Sequence, residues 1–183
     1  MVSGTYDSFE EQNKINIKTK NNISYTLLSY TTGTNGLTVP HGKEYLVNIY
    51  SDEKVKEDIE KVRNQVDVIM VSMHWGNEYE HTPNDEQKRI ANYLGELGVN
   101  IVIGHHPHVV QPIEFIDDTL VIYSLGNFIS AQIGLNKLVG MLVSVDIIKR
   151  DINNSIIIDL ENVKSELIYT SYNNFRDFKV IPY

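Results

Sequence analysis

The sequence predicts a mixed α/β chain with additional β-structure toward its C-terminal end, and three observations carry that expectation. Between Ser51 and Ile103 two amphipathic helical stretches alternate with two short apolar runs, the order that builds a parallel sheet covered by helices. After Val109 the helical period gives way to turn-separated runs of β-formers. The 183 residues are 42% hydrophobic and 22% charged, ordinary for a globule with one packed core. At ~150 residues per domain the whole chain, 1–183, is expected to be a single domain.

Each element follows from local chemistry. Residues 1–13 are polar and aperiodic and are expected to form a flexible arm. Ile15–Lys18 alternates, Asn21-Asn22 suits a turn and Ile23–Tyr30 is rich in β-formers, which predicts a hairpin. Gly33, Asn35-Gly36, Pro40 and Gly42 make Thr31–Gly42 a long loop, a kind of segment that often carries function. Ser51 caps a helix whose Val55, Ile59, Val62 and Val66 form one stripe. Asp67–Met73 is nearly continuous in apolar residues, as in a strand buried on both faces. Thr82-Pro83 opens a second helix, with Asp85 completing a near capping box, and Ile90, Tyr93, Leu94 and Leu97 recur before Gly98 stops it. Val99–Ile103 is a further strand. Val109–Ile116 and Thr119–Tyr123 form a hairpin about Asp117-Asp118, Leu138–Ile148 and Ser155–Leu160 are strands, and 161–183 is expected to be an irregular tail.

Composition excludes several function classes. Sixteen basic against twenty-four acidic side chains give a net charge of −8 and an isoelectric point near 5.2. That charge disfavours nucleic acid and anionic membrane surfaces as partners. Without cysteine there is no disulfide, thiolate nucleophile or Cys-based zinc site. No apolar run approaches the ~18 residues of a membrane span, and the N-terminus lacks a secretory pattern. No phosphate-cradling glycine motif is present, and Ser124 is not in a nucleophile elbow.

The chemistry concentrates in histidines. His74 follows one predicted strand, and His105, His106 and His108 follow the next. In open α/β sheets, sites form at the carboxyl ends of strands, so the two loops are placed to share a crevice. Neutral imidazoles suit Zn, Mn or Fe, and His74, His106 and His108 are the expected metal ligands. Alternation in extended backbone would point His106 and His108 apart, unless Gly104 and Pro107 bend the segment. Glu78, four residues after His74, is a ligand, an orienting group or a general base; the alternative is a solvated loop carboxylate. His81, beside Thr82-Pro83, is expected to be exposed and idle. Trp75 walls the site or packs in the core, and His41 lies in the long loop where it could reach a substrate. Asn127, in Gly126-Asn127, donates to a substrate or ligand oxygen or simply builds a turn.

Three blocks carry a family resemblance: Val71-Ser72-Met73-His74-Trp75-Gly76-Asn77-Glu78-Tyr79, Val102-Ile103-Gly104-His105-His106-Pro107-His108-Val109-Val110-Gln111-Pro112, and Tyr123-Ser124-Leu125-Gly126-Asn127-Phe128. Their order, spacing and wording closely resemble the C-terminal signature blocks of the bacterial capsule-synthesis CapA family, which is linked to poly-γ-glutamate biosynthesis. That family is similar in fold to calcineurin-like metallophosphoesterases. The resemblance implies the C-terminal half of a four-layer α/β/β/α sandwich with added antiparallel strands. It implies that His74 matches a lone histidine ligand and that His106 and His108 match a late G-H-x-H pair. His105, directly after Gly104, shifts that register by one and stands beside Glu78 as a catalytic candidate. The family's early G-D, N-L-E and N-N-H segments do not occur here, so the chain is expected to be truncated at its start, with a weak partial site where the full-length protein holds up to two divalent metals.

On this resemblance the parent protein is a metal-dependent hydrolase at the cell surface. It would work with components of a polyglutamate synthase complex and reach the membrane only through a missing N-terminal anchor. The chain alone is expected to be soluble and inactive. The alternative is a non-catalytic polymer-binding or scaffold component of a synthesis and export complex, against which the net charge of −8 weighs for direct contact with a polyanion.

Overall fold

The computed structural model describes residues 3–153 and 155–183. Asn21 and Asn22 both adopt left-handed backbone, φ 50° and 61°, the geometry whose twist suits a two-residue hairpin. They join β1 (Ile17–Lys20) to β2 (Ile23–Thr31). The segment ahead of them is docked: Ser8 caps one helical turn, α1 (Phe9–Gln12), Phe9 meets Tyr45 edge-on at 4.9 Å, and the Gly4 carbonyl accepts from Asn48 N–H.

Ser51 Oγ accepts from Lys54 N–H and starts α2 (Asp52–Val62). Its Val55, Ile59 and Val62 are buried, each worth ~1.5–3 kcal/mol, whereas Val66 lies beyond the helix end. The second helix, α3 (Asp85–Glu96), begins at Asn84 rather than at Thr82. Asn84 Oδ1 accepts from Gln87 N–H while Gln87 Oε1 accepts from Asn84 N–H; this reciprocal box satisfies two orphan amides, and Thr82 with Asp85 does not form it.

Between and after these helices lie β3 (Val68–His74), β4 (Ile101–His105), β5 (Ile113–Ile116) and β6 (Thr119–Ile122). One six-stranded sheet runs β1-β2-β3-β4-β6-β5, with β2, β3, β4 and β6 parallel and antiparallel strands at both edges. A short helix, α4 (Leu135–Leu138), leads into a second sheet of β7 (Val139–Ile152), β8 (Ser155–Asn173) and β9 (Arg176–Pro182), all antiparallel. The expected irregular tail over 161–183 is thus regular strand. Its alternation is interrupted by Asn162 at φ 52° and by the register shift across Ser144/Asp146, and Asn174-Phe175, at φ 48° and 56°, turn β8 into β9.

Period-2 alternation sorts the two cores. Ile69, Val71 and Met73 of β3 and Val102 of β4 pack with Val55, Ile59, Ile90 and Leu94 of the helices. Met70, Ile101, Leu120 and Ile122 face Met141, Val143, Val145 and Ile147 of the second sheet. The fold is therefore α/β with an added antiparallel sheet, and the described residues make three layers, helix, sheet and sheet.

Candidate metal centre

β2, β3 and β4 end abreast. Thr31 is in register with His74, and His74 with His105, so three adjacent parallel strands deliver a hydroxyl and two imidazoles to one edge. The approach is close: a Cβ on Gly104 would lie 1.9 Å from the Tyr123 carbonyl oxygen, so only glycine fits there.

The turn after β4 resolves the direction of the H-x-H pair. His106 and His108 sit at φ 96° and 59°, a left-handed conformation that costs a residue with a side chain ~1–3 kcal/mol. That backbone breaks the strand alternation and brings both rings to the same place. One donor atom from each of Glu78, His106 and His108 lies within 4.8 Å of the others. His74 is the neighbour of this triad, its ring centroid 4.3 Å from that of His106, and the His106 and His108 centroids are 6.0 Å apart.

The hydrogen bonds set the tautomers. Thr31 Oγ1 gives its one proton to the Gly33 carbonyl, so at 2.9 Å it accepts from His74 Nδ1–H and leaves His74 Nε2 as a free lone pair. Asn127 Nδ2 donates to the carbonyls of His108, Lys137 and the Gln132 side chain, so its Oδ1 accepts from His108 Nδ1–H at 2.9 Å. This frees His108 Nε2 in the same way, the arrangement that orients histidine ligands. His106 Nδ1 is buried with no partner among the described residues. Burial lowers the basicity of His74, and the neighbouring imidazoles, His106 foremost, add to it. For His106 burial again lowers the pKa, opposed by Glu78 and assisted by His108. Neutral, oriented imidazoles with an orphaned nitrogen and one carboxylate fit a divalent cation. Donors ~2.1 Å from one ion stand closer together than 4.8 Å, so loading would draw the triad inward.

The two site loops are laced together. Trp75 N–H donates to the His105 carbonyl, Tyr79 N–H to that of Pro107, and His81 Nδ1–H to that of Val110. Behind them Gln87 Nε2 donates to Gln111 Oε1, and Gln111 Nε2 to the Glu80 carbonyl, with both glutamines buried. Gly76, at φ 80°, packs so closely that an added Cβ would lie 2.5 Å from the Gln87 amide.

Of the residues expected at the site, Glu78, His106 and His108 converge, His74 adjoins them, and His105 and Asn127 line the same open cavity with Phe128. Trp75 does not face it: the indole is 0% exposed and donates to the Tyr123 carbonyl at 2.9 Å, a packing role imposed by the apolar strand ends around it. His41 stays in the exposed loop beside Glu44, 3.5 Å away. His81, expected to be idle, clips a loop. Thr31, Tyr79, Gln111 and Lys137 are not singled out by the sequence. Thr31 has a usable signal, since it closes a predicted strand as His74 does.

A family model described as "Bacterial capsule synthesis protein PGA_cap" matches residues 1–132. Over 121 residues the chain is 36% identical to the PGA biosynthesis protein CapA of Bacillus subtilis, a match that covers 62% of this chain and 32% of that protein. Over 70 residues it is 37% identical to the capsule biosynthesis protein CapA of Bacillus anthracis, covering 38% and 17%. The chain thus spans a third or less of these relatives. Among solved structures, a hypothetical protein from Thermus thermophilus superposes with a TM-score of 0.53 at 12% identity, over 84% of this chain and 60% of that one, a likeness of fold.

Proposed function

The chain belongs to the bacterial capsule synthesis protein PGA_cap family, and from that premise we propose that it serves poly-γ-glutamate capsule synthesis as the histidine-bearing part of a metal-dependent phosphoesterase-like site. The observation that carries this reading is the convergence of Glu78, His106 and His108 donors within 4.8 Å. These three would hold a divalent ion such as Mn, Zn or Fe, with His74 beside them. Such an ion, when bound, supplies Lewis acidity toward a substrate oxygen. Asn127 and Thr31 keep His108 and His74 in the ligating tautomer, the Gln87–Gln111 pair holds the loop that carries Glu78, and His105 lines the cavity open to a substrate. Two-metal hydrolysis needs more ligands than the one carboxylate and the imidazoles of this cluster, so on this reading the chain by itself is inactive and contributes to hydrolysis only with further ligands, at the cell surface and within a polyglutamate synthesis complex.

Elemental analysis after exhaustive dialysis tests the reading. About one divalent ion per chain, lost in His106→Ala and His108→Ala variants that remain folded, is the expected result. Folded protein without metal in every version removes the metal centre, and sustained phosphatase activity of the purified chain removes the claim of inactivity. A second reading, a non-catalytic scaffold in the same assembly, is favoured by the apolar side chains exposed on the second sheet, including Ile156, Ile157, Leu167 and Ile181. The metal-free outcome would select it. No helix among the described residues is long and apolar enough to cross a membrane.

A further inference from the structure

We infer that Lys137 is an anion-recognition residue for this centre, reading a phosphate or carboxylate group of the substrate; the inference rests on the metal-site reading above. Lys137 is tied to His108 at both of its ends. Its carbonyl accepts from Asn127 Nδ2 at 2.9 Å, and the same Asn127 orients His108. Its ammonium lies 4.6 Å from the centroid of the Tyr79 ring, and that ring lies 6.1 Å from the His108 ring. Tyr79 is itself fixed, at φ 68° with its N–H on the Pro107 carbonyl at 2.7 Å.

The charge on Lys137 is not spent within the chain. Lys54, Lys61, Arg89, Lys149 and Arg150 each meet a carboxylate, whereas among the described residues Lys137 meets none, in a chain with a net charge of −8. An ammonium seated on an aromatic face, with no carboxylate partner, keeps N–H donors for an incoming oxyanion. Glu78 and the net charge of −8 repel anions, and Lys137 adds a side-chain cation beside the metal site to offset that field for an anionic substrate.

Calorimetric titration of the full chain with inorganic phosphate and with γ-glutamylglutamate, each with and without Mn²⁺, tests this. Lys137→Ala should weaken binding of the preferred anion by about tenfold while Lys137→Arg retains it, with melting temperature and Mn²⁺ uptake unchanged. The tighter of the two ligands identifies whether phosphate or carboxylate is the group read. Wild type and Lys137→Ala binding both anions equally, or wild type binding neither in either state, overturns the inference. A Lys137-dependent affinity that persists in a chain taking up no Mn²⁺ supports the inference and sinks the metal-site reading instead.

Discussion

Asn127 shows how much one amide can control. Its oxygen accepts from His108 Nδ1–H and its nitrogen donates to three carbonyl-type acceptors, so neither end can flip without losing partners. Asn127→Leu is expected to weaken metal binding by ~10–100-fold, the usual cost of removing a group that orients a histidine ligand. Competition against a chromogenic chelator measures this, with Asn127→Asp as the variant that keeps the acceptor and most of the affinity. Leucine binding metal as tightly as asparagine would show that His108 needs no such support. At this scale the sequence is informative where a residue's place follows from a strand end, as for His74, His106 and His108. It is silent where contact depends on packing across loops: Tyr79 against Lys137, or the indole of Trp75 turned inward onto Tyr123, depends on three-dimensional proximity rather than on spacing.

Elements are legible in proportion to their local signals. The Asn21-Asn22 turn, the Val55/Ile59/Val62 stripe and the apolar runs of β3 and β4 each carry their own cause, and each forms. The start of α3 lies two residues beyond the Thr82 signal, because Asn84 outcompetes Thr82 only through the reciprocal bond of Gln87. The length of β8 is hidden because much of it is exposed and Asn162 interrupts its alternation. The connection between α3 and the site is invisible, since buried glutamines give no periodic signal. That connection can be tested. Gln111→Leu leaves the Gln87 amide and the Glu80 carbonyl without a partner, at an expected cost of ~1–3 kcal/mol. This corresponds to a melting temperature lower by roughly 2–4 °C per kcal/mol for a chain of this size. An unchanged melting curve would mean that the glutamine relay does not hold the Glu78 loop.

Over the whole molecule, the two sheets are joined by charge as well as by apolar packing. Lys149 of β7 bridges to Asp67 at 2.8 Å, just ahead of β3, where Asp67 also accepts from the N–H and hydroxyl of Ser24. Burial alone would raise the Asp67 pKa, but Lys149 and Ser24 outweigh it and hold the carboxyl below its ordinary 3.8. A depressed carboxyl stabilises the fold above the unfolded value and loses that contribution as pH falls through the folded one. Asp67→Asn should therefore cost ~1–2 kcal/mol at neutral pH. In thermal melts its difference from wild type should hold above about pH 5 and shrink below pH 3.8; a difference that persists unchanged into acid would assign the effect to something other than the ion pair. The layer order is legible in outline, because α/β alternation followed by β-rich sequence implies it, but the pairing of Lys149 with Asp67 joins residues too far apart in the chain to be read there.

The placement of the donors has a consequence for folding. His74, Glu78, His106 and His108 all fall within the continuous unit β3–α3–β4 and the turn that follows it. The crossover that pairs β3 with β4 therefore gathers the donors in one loop closure, while β7, β8 and β9 join one another through hairpins of their own. A site assembled in that way behaves as a portable module: rearrangement of the surrounding chain can change what it acts on while leaving its ligands together.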